Sequence, residues 1–514
     1  MDKYLIETFE LEPNVNDITP IDKFKLYRDF DRFINALKEY ASKHELTNIE
    51  QFYFDFETDP RREFFHRLEQ TYFDNYFLSI YFILSNPVLI TKPTFANLYR
   101  DKHYLSIITD YIINLYQTLD SNTSRFYNKI LLEKFISNLD FTPLSDDVTS
   151  SEYKTYFQLF AQETVRLKSY LTELVKDPKW STHPAQGLSE FDPKYYQFAF
   201  QYHTGLRLKS SDNFMKIKQW AQKHLDYLMN EVNRTCDRLL TNDSDKTKSL
   251  PEKMRLVGEH PSQHWSSKQE IIDTYQLCLS KYRRIFIAQH QFKEFNPPHI
   301  TILDNPLLAG GYYYKNNFYL NVSGWSEGNY RYEVENLTLH ETIPGHHMQL
   351  DISYHSPNHN YLTAIAEAPS NGFVEGWGLF AEHLGDSMFD DPWVYFGYLQ
   401  MNVLRTFRII AEVLLHVEGQ TPDEVIQLAK QYLTASEASI TAEIYRYRIL
   451  PGQACSYKIG LEIFKRAIRD KFQVTEVKDF LRSDLLAWYK DVLWQTERPL
   501  DVFLLENQIT WTFD

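Results

Sequence analysis

The stretch YLSIITDYIINLYQTL, residues 104–119, carries the pattern that decides the fold class. Its apolar residues recur at intervals of three and four, which is the spacing of one face of an α-helix. The segment FHRLEQTYFDNYFLSIYFIL, residues 65–84, has the same spacing, as does most of the chain between residues 20 and 240. Glycine is nearly absent from this half, which disfavours tight hairpins. The sequence therefore predicts a mainly α fold built from many helices.

One interval departs from the helical pattern. Residues 295–330 place Pro, Gly and Asn around aromatic residues that favour β-structure. Within this interval, YYYKNNFYLNV predicts a short hairpin whose turn lies near Lys315, Asn316 and Asn317. Helical periodicity then resumes and dominates the rest of the chain. We therefore expect a small β-hairpin or sheet element within a large multi-helix fold.

A polar stretch marks the expected border between two lobes. The segment TNDSDKTKSLPEK, residues 241–253, has few large apolar residues and predicts an exposed connection. We predict an N-terminal helical lobe over residues 1–240 and a lobe that carries the chemistry over residues 255–514. We expect the two lobes to form one integrated unit.

The composition excludes some classes of partner. The 514 residues include 69 acidic and 54 basic side chains, for a net charge of −15 at pH 7. Such an acidic surface repels phosphate backbones, so we expect no nucleic-acid partner. The three cysteines, Cys236, Cys278 and Cys455, are too few and too scattered for a disulfide framework or a cysteine metal site. They fit a reducing compartment.

The expected location follows from the apolar segments. The N-terminal residues MDKYLIETFELEPNVNDI are charged and lack the apolar core that a signal peptide needs. No apolar run approaches the ~18 residues of a membrane-spanning helix. We therefore expect a cytoplasmic protein with no membrane partner. The oligomeric state stays open.

The segment LTLHETIPGHHMQ, residues 337–349, is the most informative in the chain. Many zinc hydrolases carry the motif H-E-x-x-H, in which two histidines one helical turn apart reach the same ion and the glutamate polarises the metal-bound water. His340 and Glu341 match the start of this motif, but Pro344 stands where the second histidine belongs. The next histidines are His346 and His347.

The spacing of these histidines requires an interruption of the helix. On an unbroken helix, His346 and His347 would lie roughly 9 and 10.5 Å from His340 along the axis. Zinc–nitrogen bonds of ~2.0–2.1 Å cannot span such distances from two neighbouring backbone sites. Pro344 and Gly345 provide the means for a bulge or a break, because proline removes a hydrogen-bond donor and glycine accepts strained dihedral angles. A minimal bulge favours His346 as the second ligand.

A second segment supplies carboxylates about 30 residues downstream. In NGFVEGWGLFAEHLGD, residues 371–386, Glu375 and Glu382 lie two helical turns apart and so share a face. A catalytic zinc ion takes three protein ligands and keeps an open fourth position. One of these glutamates can therefore bind zinc, while the other orients a ligand histidine or holds the substrate amine.

A third segment offers groups that stabilise negative charge. EIYRYRILPGQACSYKIG, residues 443–460, concentrates polar side chains around a Pro-Gly break, among them Arg446, Tyr447 and Tyr457. Amide hydrolysis develops negative charge on the former carbonyl oxygen, and one donor aimed there contributes ~3–4 kcal/mol. The alternative is a helix junction with solvated charges.

Together these segments resemble the bacterial family known as domain of unknown function 885, a predicted metallopeptidase family. HETIPGHHMQ resembles the HExxPGHHxQ signature of the family, and VEGWGLFAEHLG resembles its EGWALYxExLG segment. RYRILPGQACSYKIG resembles RYxxxPGQAxSYKxG, and AGGYYYKNNFYLN is similar to the strand region that precedes the first signature. The resemblance covers roughly residues 300–460.

The resemblance implies a gluzincin-like zinc peptidase with a mainly helical catalytic unit. VEGWGLFAE is also similar to the NEGFAxYxE segment of zinc aminopeptidases, whose first glutamate binds the metal. This similarity implies that Glu375, rather than Glu382, is the third ligand. Comparison of HHMQ with the HxxQ-like tail of related motifs favours His347, so the choice between His346 and His347 stays open.

We therefore predict a zinc-dependent peptidase with Zn2+ as its cofactor and peptides as its substrates. His340, Glu375 and one of the paired histidines hold the ion, and Glu341 is the general base. Tyr447 and Arg446, or Tyr457, stabilise the oxyanion.

The mode of peptide cleavage and two alternative functions stay open. The strand Tyr312–Asn321 can pair with an extended substrate backbone, but endopeptidase and exopeptidase action are both open. One alternative function is a zinc amidase that acts on non-peptide amides. The other is a non-catalytic helical binding protein with a decayed site.

Overall fold

The structure is a computed structural model. It describes residues 1–14, 17–71, 76–85, 90, 93–119, 129, 132–133, 135–137, 139–144, 150–177, 187–210, 212–304, 310–323, 325, 329–366, 368–386, 388–389, 391–476 and 479–513. Most of these residues are helical, and the strands form one small sheet, so the predicted mainly α fold is confirmed. Contacts group the chain into two compact units, residues 1–190 with 360–367, and residues 191–359 with 368–514. The lobes predicted over residues 1–240 and 255–514 stay a prediction.

The first unit consists of helices. Its α-helices are Asp2–Phe9, Pro20–Tyr27, Phe30–Lys43, Asn48–Glu57, Arg62–Thr71, Tyr76–Leu84, Pro93–Arg100, Tyr104–Thr118, Ser151–Leu174 and Tyr361–Ile365. The segment of residues 104–119 forms the helix Tyr104–Thr118, as its apolar spacing predicts. The predicted helical segment 65–84 falls in two helices, and residues 72–75 lie outside the described part of the chain.

The second unit contains the candidate site. Its α-helices are Pro193–Thr204, Phe214–Leu239, Asp243–Lys246, Leu250–Gly258, Lys268–Arg283, Val334–Glu341, His346–Tyr354, Asn371–Asp386, Pro392–His416, Pro422–Ala429, Glu437–Ile449, Ser456–Phe472, Ser483–Trp494 and Leu500–Glu506. A π-helix, Arg284–Gln289, continues one of them. Within the described ranges, no helix is both long and apolar enough to cross a membrane.

The polar stretch 241–253 is only partly a loop. It contains the one-turn helix Asp243–Lys246 and the start of the helix Leu250–Gly258. The second helix begins there because Ser249 and Glu252 form a capping box, in which the Glu252 carboxylate accepts hydrogen bonds from the backbone and hydroxyl of Ser249. The polar residues of this stretch therefore include helix caps as well as a connection between helices.

The sheet has three strands, β1 (His299–Leu303), β2 (Gly311–Tyr314) and β3 (Asn317–Asn321). Strand β3 is central, pairing with β2 in the antiparallel and with β1 in the parallel direction. The predicted hairpin is confirmed as β2 and β3. Lys315 and Asn316 occupy its turn with positive φ angles of 40° and 68°, which two-residue hairpin turns require.

Candidate metal centre

The chain breaks between the two parts of the histidine motif. The HE helix (Val334–Glu341) ends directly after Glu341, and Thr342 has the non-helical angles φ −118° and ψ −105°. The HH helix (His346–Tyr354) begins at the first of the paired histidines. The predicted interruption is therefore confirmed, and it is a full break rather than a bulge.

Gly345 allows the break to be tight. A Cβ atom at this position would lie 1.9 Å from the carbonyl oxygen of His340, so a side chain cannot be accommodated. The indole Nε1 of Trp377 donates a hydrogen bond of 2.9 Å to the carbonyl oxygen of Pro344, which holds the connection in place. The chain folds back, and the rings of His340 and His346 meet edge to face with centroids 4.6 Å apart.

The break brings three candidate ligands together. The Oε2 atom of Glu375 lies 3.5 Å from Nε2 of His340 and 3.4 Å from Nε2 of His346. The ligand atoms of the three residues all lie within 4.8 Å of one another. Glu375 Oε2 is buried and has no hydrogen-bond partner among the described residues. Buried polar atoms are rarely left without a partner, so this carboxylate oxygen is available to bind a metal ion.

These distances fit a zinc ion. Two atoms bound to the same tetrahedral zinc at ~2.0–2.1 Å lie roughly 3.3–3.4 Å apart, which follows from the bond length and the tetrahedral angle. The two measured separations, 3.4 and 3.5 Å, agree with this value. Two histidines and one glutamate are also a ligand set that catalytic zinc sites use, with the fourth position open.

Glu382 supports His340 from the other side of the imidazole ring. Its Oε1 atom lies 2.8 Å from Nδ1 of His340, and both side chains are buried. If Nδ1 carries the proton and donates it to this hydrogen bond, Nε2 is left free to bind a metal. The pair Glu375 and Glu382 thus divides as the sequence suggested, with one carboxylate among the candidate ligands and the other orienting a histidine.

The electrostatics of the site favour a cation. Burial lowers the pKa of His340, but interactions with Glu375 and Glu382 outweigh burial and raise its pKa to about 10. Burial raises the pKa of Glu375, but interactions with His340 and His346 outweigh burial and hold its pKa well below the usual range. The carboxylates therefore stabilise positive charge at the position between the two histidines.

Glu341 is buried beside the three candidate ligands. Its relative exposure is 7%, and burial raises the pKa of its carboxyl group above the usual range. The charges of His340, His346 and Glu375 also act on this pKa. A carboxyl group with a raised pKa next to a metal position is suited to accept a proton and to release it again.

Two glycines explain the unusual composition around Glu375. A Cβ atom at Gly378 would lie 2.6 Å from Cε1 of His340, so glycine leaves the room that the imidazole occupies. A Cβ atom at Gly376 would lie 2.5 Å from the Cα atom of Gly460, where the Glu375 helix (Asn371–Asp386) crosses the Tyr457 helix (Ser456–Phe472). The glycines serve close packing around the site.

His347 lies on a different side of the HH helix. Its Nε2 atom donates a hydrogen bond of 3.0 Å to the carbonyl oxygen of Asn296, and its ring contacts the ring of Tyr313 in β2. Asp351, one turn later, accepts hydrogen bonds from the backbone of Phe295 and Asn296. His347 and Asp351 therefore fasten the segment before β1 to the HH helix. Of the two histidines left open by the sequence, His346 is the one that joins His340 and Glu375.

The candidate oxyanion donors have different surroundings. The hydroxyl of Tyr447 donates a 2.6 Å hydrogen bond to Glu443, and Arg446 contacts Glu443 and Gln453. These two side chains are therefore already engaged. Burial raises the pKa of Tyr457, and the charge of Glu375 raises it further. The Tyr457 hydroxyl is therefore close enough to Glu375 for that charge to act on its pKa.

Arg408, which lies outside the sequence motifs, contacts the same groups. It lies on the Arg408 helix (Pro392–His416), which is apolar over most of its length. Its guanidinium donates to Glu443 and to the hydroxyl of Tyr447, and it stacks over the ring of Tyr457 at 4.4 Å. The available signal was a pair of charges, Arg405 and Arg408, within an apolar helix.

The fold and the site define a mainly helical protein with a buried candidate metal centre of two histidines and one glutamate. The chain belongs to the family described as "Bacterial protein of unknown function (DUF885)", which matches residues 132–508. The family resemblance predicted from the motifs is thereby confirmed. Comparison with curated proteins finds no match.

Two solved structures have a similar fold. The "putative lipoprotein from Colwellia psychrerythraea" has a TM-score of 0.63 at 15% sequence identity, over 95% of this chain and 91% of that chain. The "putative lipoprotein of unknown function from Shewanella oneidensis" has a TM-score of 0.64 at 15% identity, over 98% of both chains. At this level of identity, the likeness concerns the fold alone.

Proposed function

We propose that this protein is a gluzincin-like, zinc-dependent peptidase. The observation that carries the proposal is the separation of 3.4–3.5 Å between Glu375 Oε2 and the Nε2 atoms of His340 and His346. The two histidines and Glu375 would hold the zinc ion, and Glu382 would fix the orientation of His340. When bound, zinc would polarise the scissile carbonyl and make water a stronger nucleophile at neutral pH.

The remaining chemistry falls to side chains of the chain itself. Glu341 takes the proton from the attacking water and passes it to the leaving amine, a role that contributes about 10²- to 10⁴-fold in rate. Tyr457 donates its hydroxyl proton in a hydrogen bond to the developing oxyanion. Tyr447 and Arg446 keep this region ordered through Glu443, which both of them contact.

The sheet offers a place for an extended peptide. Among the described strands, β2 lies at an edge of the sheet, and it contacts both helices that carry the site histidines. A Cβ atom at Gly311 of β2 would lie 3.2 Å from Leu337 of the HE helix, and Tyr313 contacts His347 of the HH helix. An extended backbone added to β2 would run next to the helices that carry the site histidines, and such pairing gives affinity through main-chain hydrogen bonds. This geometry favours peptides over other amides as substrates.

Hydrolysis of short peptides by the zinc-loaded protein tests the proposal. We expect a mixture of unstructured peptides to be cleaved, with activity lost after removal of zinc by a chelator and restored by one equivalent of Zn2+. Mass spectrometry of the products also separates endopeptidase from exopeptidase action. Cleavage of non-peptide amides alone would favour the amidase alternative. Zinc binding without hydrolysis of any amide would favour the binding protein with a decayed site.

The cellular location and partners stay predictions. The sequence predicts a cytoplasmic protein without nucleic-acid or membrane partners. The two structures of similar fold are described as putative lipoproteins, which makes a location outside the cytoplasm the alternative for this chain. Fractionation of cells that produce the full chain would decide between the two locations.

A further inference from the structure

A buried cluster of charged residues lies next to the proposed oxyanion donor. This arginine cluster consists of Arg408, Arg446 and Glu443. Glu443 Oε2 accepts a 2.8 Å hydrogen bond from Nη2 of Arg408, and both Glu443 oxygens accept bonds of 3.2 Å from Arg446. One carboxylate therefore faces two guanidinium groups, and the cluster has an excess of one positive charge.

Among the described residues, Glu443 is the carboxylate whose charge acts most strongly on Arg408 and Arg446. A further carboxyl group, Glu412, interacts with the charge of Arg446. Burial raises the pKa of Glu412 to about 8, so this carboxyl group is mostly protonated at neutral pH. A buried excess charge is costly unless a partner of opposite charge is supplied.

The guanidinium of Arg408 has a donor nitrogen, Nη1, without an acceptor among the described residues. Only 7% of its surface is exposed, yet its Nη1 atom has no hydrogen-bond partner within the described part of the chain. The two other nitrogens of the guanidinium bind Glu443 and Tyr447. A buried, charged donor without a partner costs free energy, which an acceptor from outside the chain would recover.

The arginine cluster is connected to the metal centre through Tyr457. The guanidinium of Arg408 stacks over the Tyr457 ring at 4.4 Å. Gly460, one helical turn after Tyr457, packs directly against Gly376, the residue that follows Glu375. Arg446 and Tyr457 are both partly exposed, so one edge of the cluster is accessible to solvent.

We propose that the arginine cluster binds a carboxylate group of the peptide substrate. The substrates would then be peptides that carry a free carboxylate close to the scissile bond, and the unused Nη1 of Arg408 would donate to that carboxylate. Arginine suits this role because its planar group binds carboxylates through parallel hydrogen bonds. The position of this carboxylate relative to the scissile bond rests on the proposed peptidase function, whereas its binding by the arginine cluster does not.

Two sources of the carboxylate are chemically equivalent at the cluster. A C-terminal carboxylate would make the protein a carboxypeptidase. An Asp or Glu side chain would make it a peptidase specific for acidic residues. Matched peptides distinguish these sources: acetyl-Ala-Ala-Phe with a free C-terminus, its C-terminal amide, and the amide acetyl-Ala-Glu-Phe-amide.

Binding and cleavage of these peptides test the inference separately from the proposed function. Affinity is measured by calorimetry with the zinc-loaded Glu341→Gln variant, and cleavage is measured with the wild type. We expect at least one carboxylate-bearing peptide to bind about tenfold or more tightly than acetyl-Ala-Ala-Phe-amide, as a charge-assisted hydrogen bond provides. Preference for the free C-terminus supports the first source, and preference for the Glu peptide supports the second.

Substitution of Arg408 links the preference to the cluster. Arg408→Gln in the same Glu341→Gln background should remove the preference for carboxylate-bearing peptides. Arg408→Lys keeps the charge but loses the planar guanidinium with its parallel donors, and it should reduce this preference. Arg234→Gln is the matched control, because Arg234 is exposed and pairs only with Glu231 in the described structure. Equal affinity for all three peptides, or a preference that survives Arg408→Gln, would overturn the inference. Cleavage of the peptides without a preference would leave the peptidase proposal standing, whereas carboxylate-selective binding without cleavage would contradict that proposal alone.

Discussion

Replacing Glu341 by Gln is expected to lower peptide turnover by at least about 10²-fold, the lower end for removal of a general base. The variant should fold and bind zinc like the wild type, because Gln has nearly the same size and Glu341 is not among the three candidate ligands. Its carboxyl group is buried, and the charges of His340, His346 and Glu375 act on it; in the proposed mechanism it accepts a proton at this place. Gln cannot accept that proton. Turnover is measured with wild type and variant at matched zinc content.

A control on the same helix separates this effect from a general loss of charge. Glu335 lies near the start of the HE helix and binds Lys281 and Tyr282 rather than the site. Glu335→Gln should change turnover by less than about threefold, the scale of ordinary effects away from the chemistry. If Glu341→Gln lowers turnover by less than tenfold, Glu341 is not the base and the proposed mechanism is wrong, even with zinc in place.

The two neighbouring histidines are expected to respond differently to substitution. His346→Ala should weaken zinc binding by more than about 100-fold, since loss of an outer hydrogen-bond partner alone typically costs 10- to 100-fold. Peptide hydrolysis should fall with the metal. His347→Ala should keep wild-type zinc affinity, because His347 binds the carbonyl oxygen of Asn296 instead. Its thermal stability should drop modestly, by about 1 kcal/mol for the lost hydrogen bond.

Each histidine variant serves as the control for the other. Zinc affinity is measured by competition with a chelator of known strength, and unfolding by circular dichroism. Zinc loss in His347→Ala with retention in His346→Ala would assign the metal to the other histidine. Wild-type affinity in both variants would remove the entire histidine motif from the metal site.

The helical class and the position of the break were predictable because their causes are local. The helix at residues 104–118 follows from apolar spacing alone. The break between His340 and His346 follows from bond lengths, because one ion cannot reach both from a straight helix. Zinc binding by one carboxylate and orientation of a ligand histidine by the other could be predicted for Glu375 and Glu382, because the two residues share a helix face.

Which of His346 and His347 joins His340 and Glu375 was not predictable, because it depends on how tightly the chain turns. Spacing favoured His346, and the family resemblance favoured His347. The turn is tight because Gly345 lies directly against the carbonyl of His340, and the Trp377 indole holds it from another helix. Such a contact between distant segments has no signature in a single sequence.

Long-range contacts also explain the other omissions. Strand β1 pairs in parallel with β3 from outside the hairpin, a partnership that sequence periodicity does not reveal. Arg408 is more than 30 residues from Glu443 in sequence and reaches it only through helix packing. Its place in an apolar helix was unusual, but its partners could not be read from that position.

The zinc content of the purified protein tests the central claim most directly. Protein dialysed against an equimolar mixture of Zn2+, Mg2+ and Ca2+ is analysed by mass spectrometry of the metals, as wild type, as Glu375→Ala and as the control Glu418→Ala, whose side chain pairs with Lys218 on the surface. We predict close to one zinc per chain in the wild type and in the control, and a strongly reduced amount in Glu375→Ala. A wild type without zinc, or full zinc content in Glu375→Ala, would contradict the metal centre of His340, His346 and Glu375.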